Sequence, residues 1–180
     1  MTTFLAQTAA LGLASPLERT PHGLLYADER DEDRSIEGVL LSRTGTETSS
    51  RRTAMEQLLC GVCSGPSERT GDGVLWLLPI PAGTPDDRVW DGWPEGVTTT
   101  HPPVCRRHGL RPEAGQRAFY AAEADLVGVH GTLHPAPGIL AVPVDRMLRF
   151  GDPRMPWMVA DSYVRELRRL TRADEQRGTR

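Results

Sequence analysis

The stretch Pro153-Arg-Met-Pro-Trp157-Met-Val-Ala160-Asp161-Ser-Tyr-Val164-Arg165-Glu-Leu167-Arg168-Arg169-Leu170 decides how the chain is read. Trp157, Ala160, Val164, Leu167 and Leu170 recur at spacings of three and four, the period of an amphipathic helix. Asp161 in the early half, and Arg165, Arg168, Arg169 and Arg172 toward the end, match the sign of a helix macrodipole. The pattern predicts a C-terminal helix over residues 153–170, packed on a sheet through Trp157, Val164 and Leu167. Residues 174–180 beyond it are expected to fray.

Working back from that helix, residues 139–150 read as a strand that Pro143 confines to an edge or a bulge. Residues 117–134 hold Phe119, Tyr120 and Leu126-Val-Gly-Val-His130, which reads as one or two strands. Residues 82–102 form a long loop anchored by Trp90 and Trp93, and residues 71–81 begin with a turn and become a buried strand. Ser49 or Ser50 can cap a helix through Ala54, Met55, Leu58 and Leu59 that ends at Cys60-Gly61. Two apolar runs, residues 23–27 and 36–42, flank the tract Asp28-Glu-Arg-Asp-Glu-Asp33 and read as a β-hairpin with a solvated, charged tip. Residues 1–20 read as a loose arm or short helix.

The predicted class is therefore α+β: a small antiparallel sheet, a metal-binding module and a C-terminal amphipathic helix. The expected segments are an N-terminal arm and hairpin over 1–48, a metal-binding module over 49–115, and strands plus the last helix over 116–180. No internal repeat is evident.

Composition narrows the function classes. The chain has 180 residues, 38% of them hydrophobic and 25% charged, which is ordinary for a globular protein. All 21 basic residues are arginine, and lysine and asparagine are absent. With 18 glycines and 15 prolines, this usage reports a GC-rich coding bias, so the arginines alone are no nucleic-acid signal. The missing lysines exclude a lysine Schiff base and the Gly-Lys-Ser/Thr phosphate loop. There is no Gly-x-Ser-x-Gly elbow and no Gly-x-Gly-x-x-Gly fingerprint. No apolar run approaches the roughly 18 residues that cross a bilayer. The first positive side chain is Arg19, so the basic start of a secretory leader is missing and a cytoplasmic protein is expected.

The net charge of -3 is unevenly spread. Residues 1–59 carry 6 basic and 9 acidic side chains, residues 60–104 carry 2 and 6, and residues 105–180 carry 13 and 9. Arg106, Arg107 and Arg111, with the arginines of the last segment, would form a patch for an anion or nucleic acid if they shared one face. A solvated polar face is the simpler expectation.

The most specific chemical signal is Cys60-Gly-Val-Cys63 paired with Cys105-Arg-Arg-His108. Each half places two soft or borderline ligands three positions apart, and together they supply the four that tetrahedral Zn²⁺ takes. Gly61 and Gly65 permit a tight turn and close backbone approach in the first half. All three cysteines are used, and an odd count does not suit a disulfide framework. His101 lies four residues before Cys105 and is the alternative fourth ligand, with His108 preferred at the start of a helix. Four protein ligands leave no position for water, so the expected Zn²⁺ is structural. Arg106 and Arg107 would offset the single negative charge of such a centre.

A cysteine knuckle, a hairpin and a second ligand pair on the first turn of a helix resembles a treble-clef zinc finger over residues 55–115. The long spacing between the pairs and the final histidine depart from the usual pattern. The chain also resembles an uncharacterised actinobacterial protein family in the segments Gly73-Val-Leu-Trp-Leu-Leu, His101-Pro-Pro-Val-Cys105 and Leu148-Arg-Phe-Gly-Asp-Pro153. That resemblance implies no reaction.

Three function classes follow. The first is a zinc-stabilised cytoplasmic adaptor or regulator acting through a protein-interaction surface. The second is a nucleic-acid-binding regulator using the zinc module and the C-terminal arginines. The third is a small biosynthetic enzyme or accessory subunit using Asp125, His130, His134, Asp145 and Asp152, which requires a pocket where some of them converge. A non-enzymatic role is favoured.

Overall fold

The computed structural model describes residues 17–35, 37–44, 46–79, 96–109 and 117–173. In chain order these form β1 (Leu17–Thr20), β2 (Gly23–Tyr26), a 3-10 turn (Asp31–Asp33), β3 (Leu40–Leu41), α1 (Thr46–Gln57), β4 (Arg69–Thr70), β5 (Gly73–Pro79), β6 (Val97–Thr99), α2 (Arg106–Gly109), β7 (Arg117–Leu133), β8 (Val144–Arg149), a second 3-10 turn (Met155–Trp157) and β9 (Met158–Arg172). A seven-stranded sheet runs β3-β9-β7-β5-β4, with β6 paired to β9 and β8 to β7, and β1-β2 form a separate pair. The protein is mostly β, and α1 is the one α-helix longer than a single turn among the described residues. This overturns the expected α+β class with a small sheet and a C-terminal helix.

The predicted last helix is the strand β9. Met158, Val159, Ala160, Tyr163, Val164 and Leu167 are all buried. Alternation puts Ala160 and Val164 on one face and Tyr163 and Leu167 on the other. A strand covered on both faces carries apolar residues at both parities, so its period of two disappears. The spacing of three and four is a subset of that continuous run.

Two compact units share β7 and β9: Met1–Ser49 with Gly128–Ser162, and Ser50–Val127 with Tyr163–Arg180.

In the first unit, β1 pairs antiparallel with β2, from Leu17↔Tyr26 to Thr20↔Gly23. β3 runs parallel to β9 at Leu40↔Val159, and β8 runs antiparallel to β7 from Gly128↔Arg149 to Leu133↔Val144. Leu24, Tyr26, Leu40 and Val159 make the core, with Leu17 and Trp157 packed against it. A Cβ on Gly131 would stand 2.2 Å from the Val159 carbonyl oxygen, so β7 and β9 approach more closely there than any side chain permits.

The predicted hairpin between residues 23–27 and 36–42 does not form, because β2 pairs with β1 and β3 pairs with β9. Asp33 is 3% exposed and accepts bonds from Arg43 and from the Arg30 backbone N–H at 2.8 Å. Arg43 also holds Asp28 at 2.7 Å and lies 4.0 Å from the centre of the Tyr26 ring. Of the tract only Asp33 is buried, against this guanidinium, while residues 28–32 remain exposed, as expected of a charged loop. The Arg43 hydrogen bond outweighs burial and holds the Asp33 carboxyl down at about 2.

In the second unit, β5 pairs antiparallel with β4 and, from Val74↔Ala122 to Pro79↔Arg117, with β7. β6 pairs antiparallel with β9 at Val97↔Leu167 through Thr99↔Arg165. Ala54, Met55, Leu75, Trp76, Leu78, Tyr120, Val164 and Leu167 are buried here. α1 begins before Ser49 and Ser50, which lie inside it. It stops at Leu58, which takes a left-handed φ of 56° while the Leu59 N–H reaches the Ala54 carbonyl at 2.9 Å. That is a Schellman ending with leucine in the usual glycine position. β6 interrupts the predicted long loop, and Trp90 and Trp93 lie outside the described residues.

Candidate metal centre

The first ligand pair sits directly after α1. An antiparallel bridge between Leu59 and Pro66 brackets the turn, with the Cys60 N–H on the Gly65 carbonyl and the Ser64 N–H on the Cys60 carbonyl, each at 2.8 Å. The left-handed residue is Ser64 (φ 55°), and neither expected glycine has positive φ. Gly61 serves close approach instead: a Cβ there would stand 2.9 Å from Cβ of Pro102. The Gly61 N–H also donates to the Pro103 carbonyl at 3.0 Å. The two halves of the ligand set are thus joined by a backbone hydrogen bond. Val104 is fixed in turn by its N–H on the Leu75 carbonyl of β5 at 3.0 Å.

The second pair lies on the single turn of α2, where the His108 N–H bonds the Cys105 carbonyl at 3.0 Å. One ligand atom from each of Cys60, Cys63, Cys105 and His108 lies within 4.8 Å of all the others. Nδ1 of His108 is 3.2 Å from Sγ of Cys105 and 3.7 Å from Sγ of Cys60. Tetrahedral zinc bonds to sulfur and nitrogen put those edges at roughly 3.6 Å. The four side chains could therefore bind a metal ion. His101 is exposed and outside the group, its N–H on the Thr99 hydroxyl at 3.0 Å. Of the two histidines, His108 is the one that lies with the three cysteines.

The electrostatics favour thiolate at the buried end. Burial opposes ionisation of Cys60, but backbone N–H groups of Cys105, Val62 and Cys63 and the His108 side chain together outweigh it and bring its thiol down to about 6. Cys60 is fully buried, Cys105 and His108 are partly covered, and Cys63 is exposed.

Arg106 stands in a different role from the one its position suggested. Its Nε bonds Glu68 at 2.9 Å, tying α2 to the segment before β4, and nothing in the sequence marked Glu68 as its partner. Arg107 is exposed on the same turn, and Arg111 lies outside the described residues. Among the C-terminal arginines, Arg165 is buried, Arg168 meets Glu166 at 2.8 Å and Asp125 at 3.4 Å, and Arg169 meets Glu123 at 2.8 Å.

Of the acid–base candidates, the structure brings His130 and Asp145 together. Asp125 is engaged by Arg168 in the second unit. In the first unit, Asp152 pairs with Arg154 at 2.6 Å, and that bond holds its carboxyl at about 2. His130 is 3.7 Å from Asp145, whose side chain is largely exposed. His134 follows β7, and burial, reinforced by the charge of Arg19, lowers its pKa. Among the described residues, neither histidine belongs to a metal-ligating group.

No family model, curated protein or solved structure matches the chain.

Proposed function

We propose that this chain is a zinc-stabilised adaptor or regulatory protein that works through a protein-interaction surface in the cytoplasm. The convergence of Cys60, Cys63, Cys105 and His108 carries the reading. Three thiolates and an imidazole are a donor set that suits Zn²⁺ over hard cations. Four protein donors close the coordination sphere, so the ion's role is structural. The order of knuckle, β4-β5 hairpin and ligand-bearing helix turn supports a treble-clef-like module. A metal-thiolate centre suits a reducing compartment, and no helix among the described residues is long and apolar enough to cross a membrane.

The test is metal analysis of the purified chain with a thermal scan. One zinc per chain is expected, with loss of the folding transition in Cys60→Ser. Metal-free protein with an unaltered transition would sink the reading.

A further inference from the structure

The donors of the metal centre are unequally covered, and the inequality falls on the sulfurs. Cys60 is 0% exposed, and backbone N–H groups of Cys105, Val62 and Cys63 point at its sulfur. Cys105 is partly covered, and Cys63 is exposed. Gly61, Val62, Cys63 and Ser64 all face solvent along the knuckle. Gly65 leaves one flank of the Cys63 sulfur open, since a Cβ there would stand 3.5 Å from Sγ. Cys63 is thus the sulfur that a reagent in water meets first.

That sulfur also has a partner. The Cys63 and Cys105 sulfurs lie within 4.8 Å of one another, and the two side chains interact directly. Closing to the about 2.0 Å of a disulfide falls to the Cys63 side chain, which sits on an exposed turn outside any strand. On the zinc reading above, coordination holds both as thiolates, the nucleophilic form of the group. Resting on that reading, we propose that Cys63 is the site at which hydroperoxides oxidise this chain, with Cys105 as the resolving thiol, so that oxidation releases the ion.

In the first step the Cys63 thiolate attacks the terminal oxygen of the hydroperoxide. An S–O bond forms, the O–O bond breaks, and the departing alkoxide (hydroxide from hydrogen peroxide) takes a proton from water. In the second step the Cys105 thiolate attacks the sulfenic sulfur of Cys63. The S–S bond forms, the S–O bond breaks, and hydroxide leaves and is protonated by water. The two thiolates lose two electrons between them, and the peroxide accepts both. Cys60 and His108 remain as donors, half of the four that a structural zinc site uses. Burial and the N–H groups at its sulfur keep Cys60 out of the exchange.

The test starts from the reduced full chain loaded with zinc, treated with micromolar hydrogen peroxide beside a chromophoric chelator. Release of the zinc is expected, with a mass lower by two hydrogens and reversal by a dithiol. Tryptic mapping reads the bond. No arginine separates Cys60 from Cys63, whereas Arg69 and Arg88 separate both from Cys105, so the disulfide appears as two linked peptides and fragmentation places it on Cys63. Limiting iodoacetamide labels Cys63 ahead of Cys60 and Cys105. Gly65→Leu keeps all four ligands, covers the open flank and slows release by at least about threefold. Its zinc stoichiometry verifies that the site is intact. A loaded chain that retains its zinc under peroxide overturns the inference and leaves the zinc reading standing. The same holds for a disulfide that includes Cys60, for labelling that begins at Cys60 or Cys105, and for Gly65→Leu releasing as fast as the wild type. A reduced chain that cannot be loaded with zinc sinks both.

Discussion

Arg165 donates from Nε to the carbonyl oxygen of Met55 at 2.6 Å, joining the middle of β9 to the last turn of α1. The same guanidinium reaches the Glu56 carbonyl at 2.9 Å and the Ala124 carbonyl at 2.6 Å. The last carbonyls of a helix have no partner within it and form the negative end of its dipole. A planar cation with five donors serves several of them at once. Arg165 thereby satisfies the end of the helix that leads into the Cys60 turn, although burial pulls its pKa down. Arg165→Met leaves three carbonyls without this donor and lowers unfolding free energy by about 2–4 kcal/mol, read as a fall in urea midpoint. Arg165→Lys recovers only part, because one ammonium cannot reproduce the fork.

Asp33 predicts an acid-sensitive first unit. Its carboxyl is held at about 2, below the ordinary 3.8, chiefly by the Arg43 hydrogen bond. A depressed carboxylate contributes stability that is fully present above the unfolded value and is lost as pH falls through 3.8 toward 2. Asp33→Asn is therefore less stable by about 1–2 kcal/mol at neutral pH, with the gap closing in that acid window. Denaturant titrations at pH values on either side check both the size and the sign.

These two arginines mark where the sequence is legible and where it is not. The ligand pairs could be read because their chemistry is local: two donors three residues apart converge through one turn. α1 and β5 are legible from local patterns too, whereas the strand expected over residues 139–150 forms only over Val144–Arg149. Arg165 has backbone carbonyls as partners, and no residue type announces them. Its place among spaced apolar residues suggested a helix end, and it does serve a helix end, that of α1. The burial of Asp33 depends on Arg43, ten positions away, so the tract looked like any charged loop. β9 does not read as a strand because burial on both faces removes the alternation by which a strand is recognised.

The choice of the fourth ligand is testable by exchange of two histidines. His108 lies 3.2 Å from Sγ of Cys105, whereas His101 stands outside the group. His108→Ala is expected to weaken zinc binding by at least about tenfold and lower the thermal midpoint of the loaded protein. His101→Ala leaves stoichiometry and midpoint unchanged. Competition with a chromophoric chelator reads both, and the opposite pattern reverses the assignment.

Gly61 links the two ligand pairs, and its substitution separates joining from ligation. A Cβ at this position meets Pro102 at 2.9 Å, inside any normal contact, so Gly61→Ala must move the Pro102 ring or the knuckle. The bond from the Gly61 N–H to the Pro103 carbonyl lengthens in either case, and Cys105 shifts away from Cys60. All four donors remain, so stoichiometry stays at one zinc per chain. Affinity falls, because the metal must now supply the closure that the backbone provided beforehand. The expected loss is about three- to thirtyfold, or roughly 1–2 kcal/mol. Gly65→Ala is the control, since its Cβ would sit 3.5 Å from Sγ of Cys63 in ordinary contact. Equal affinity in both variants would show that the approach of Gly61 to Pro102 contributes nothing to the site.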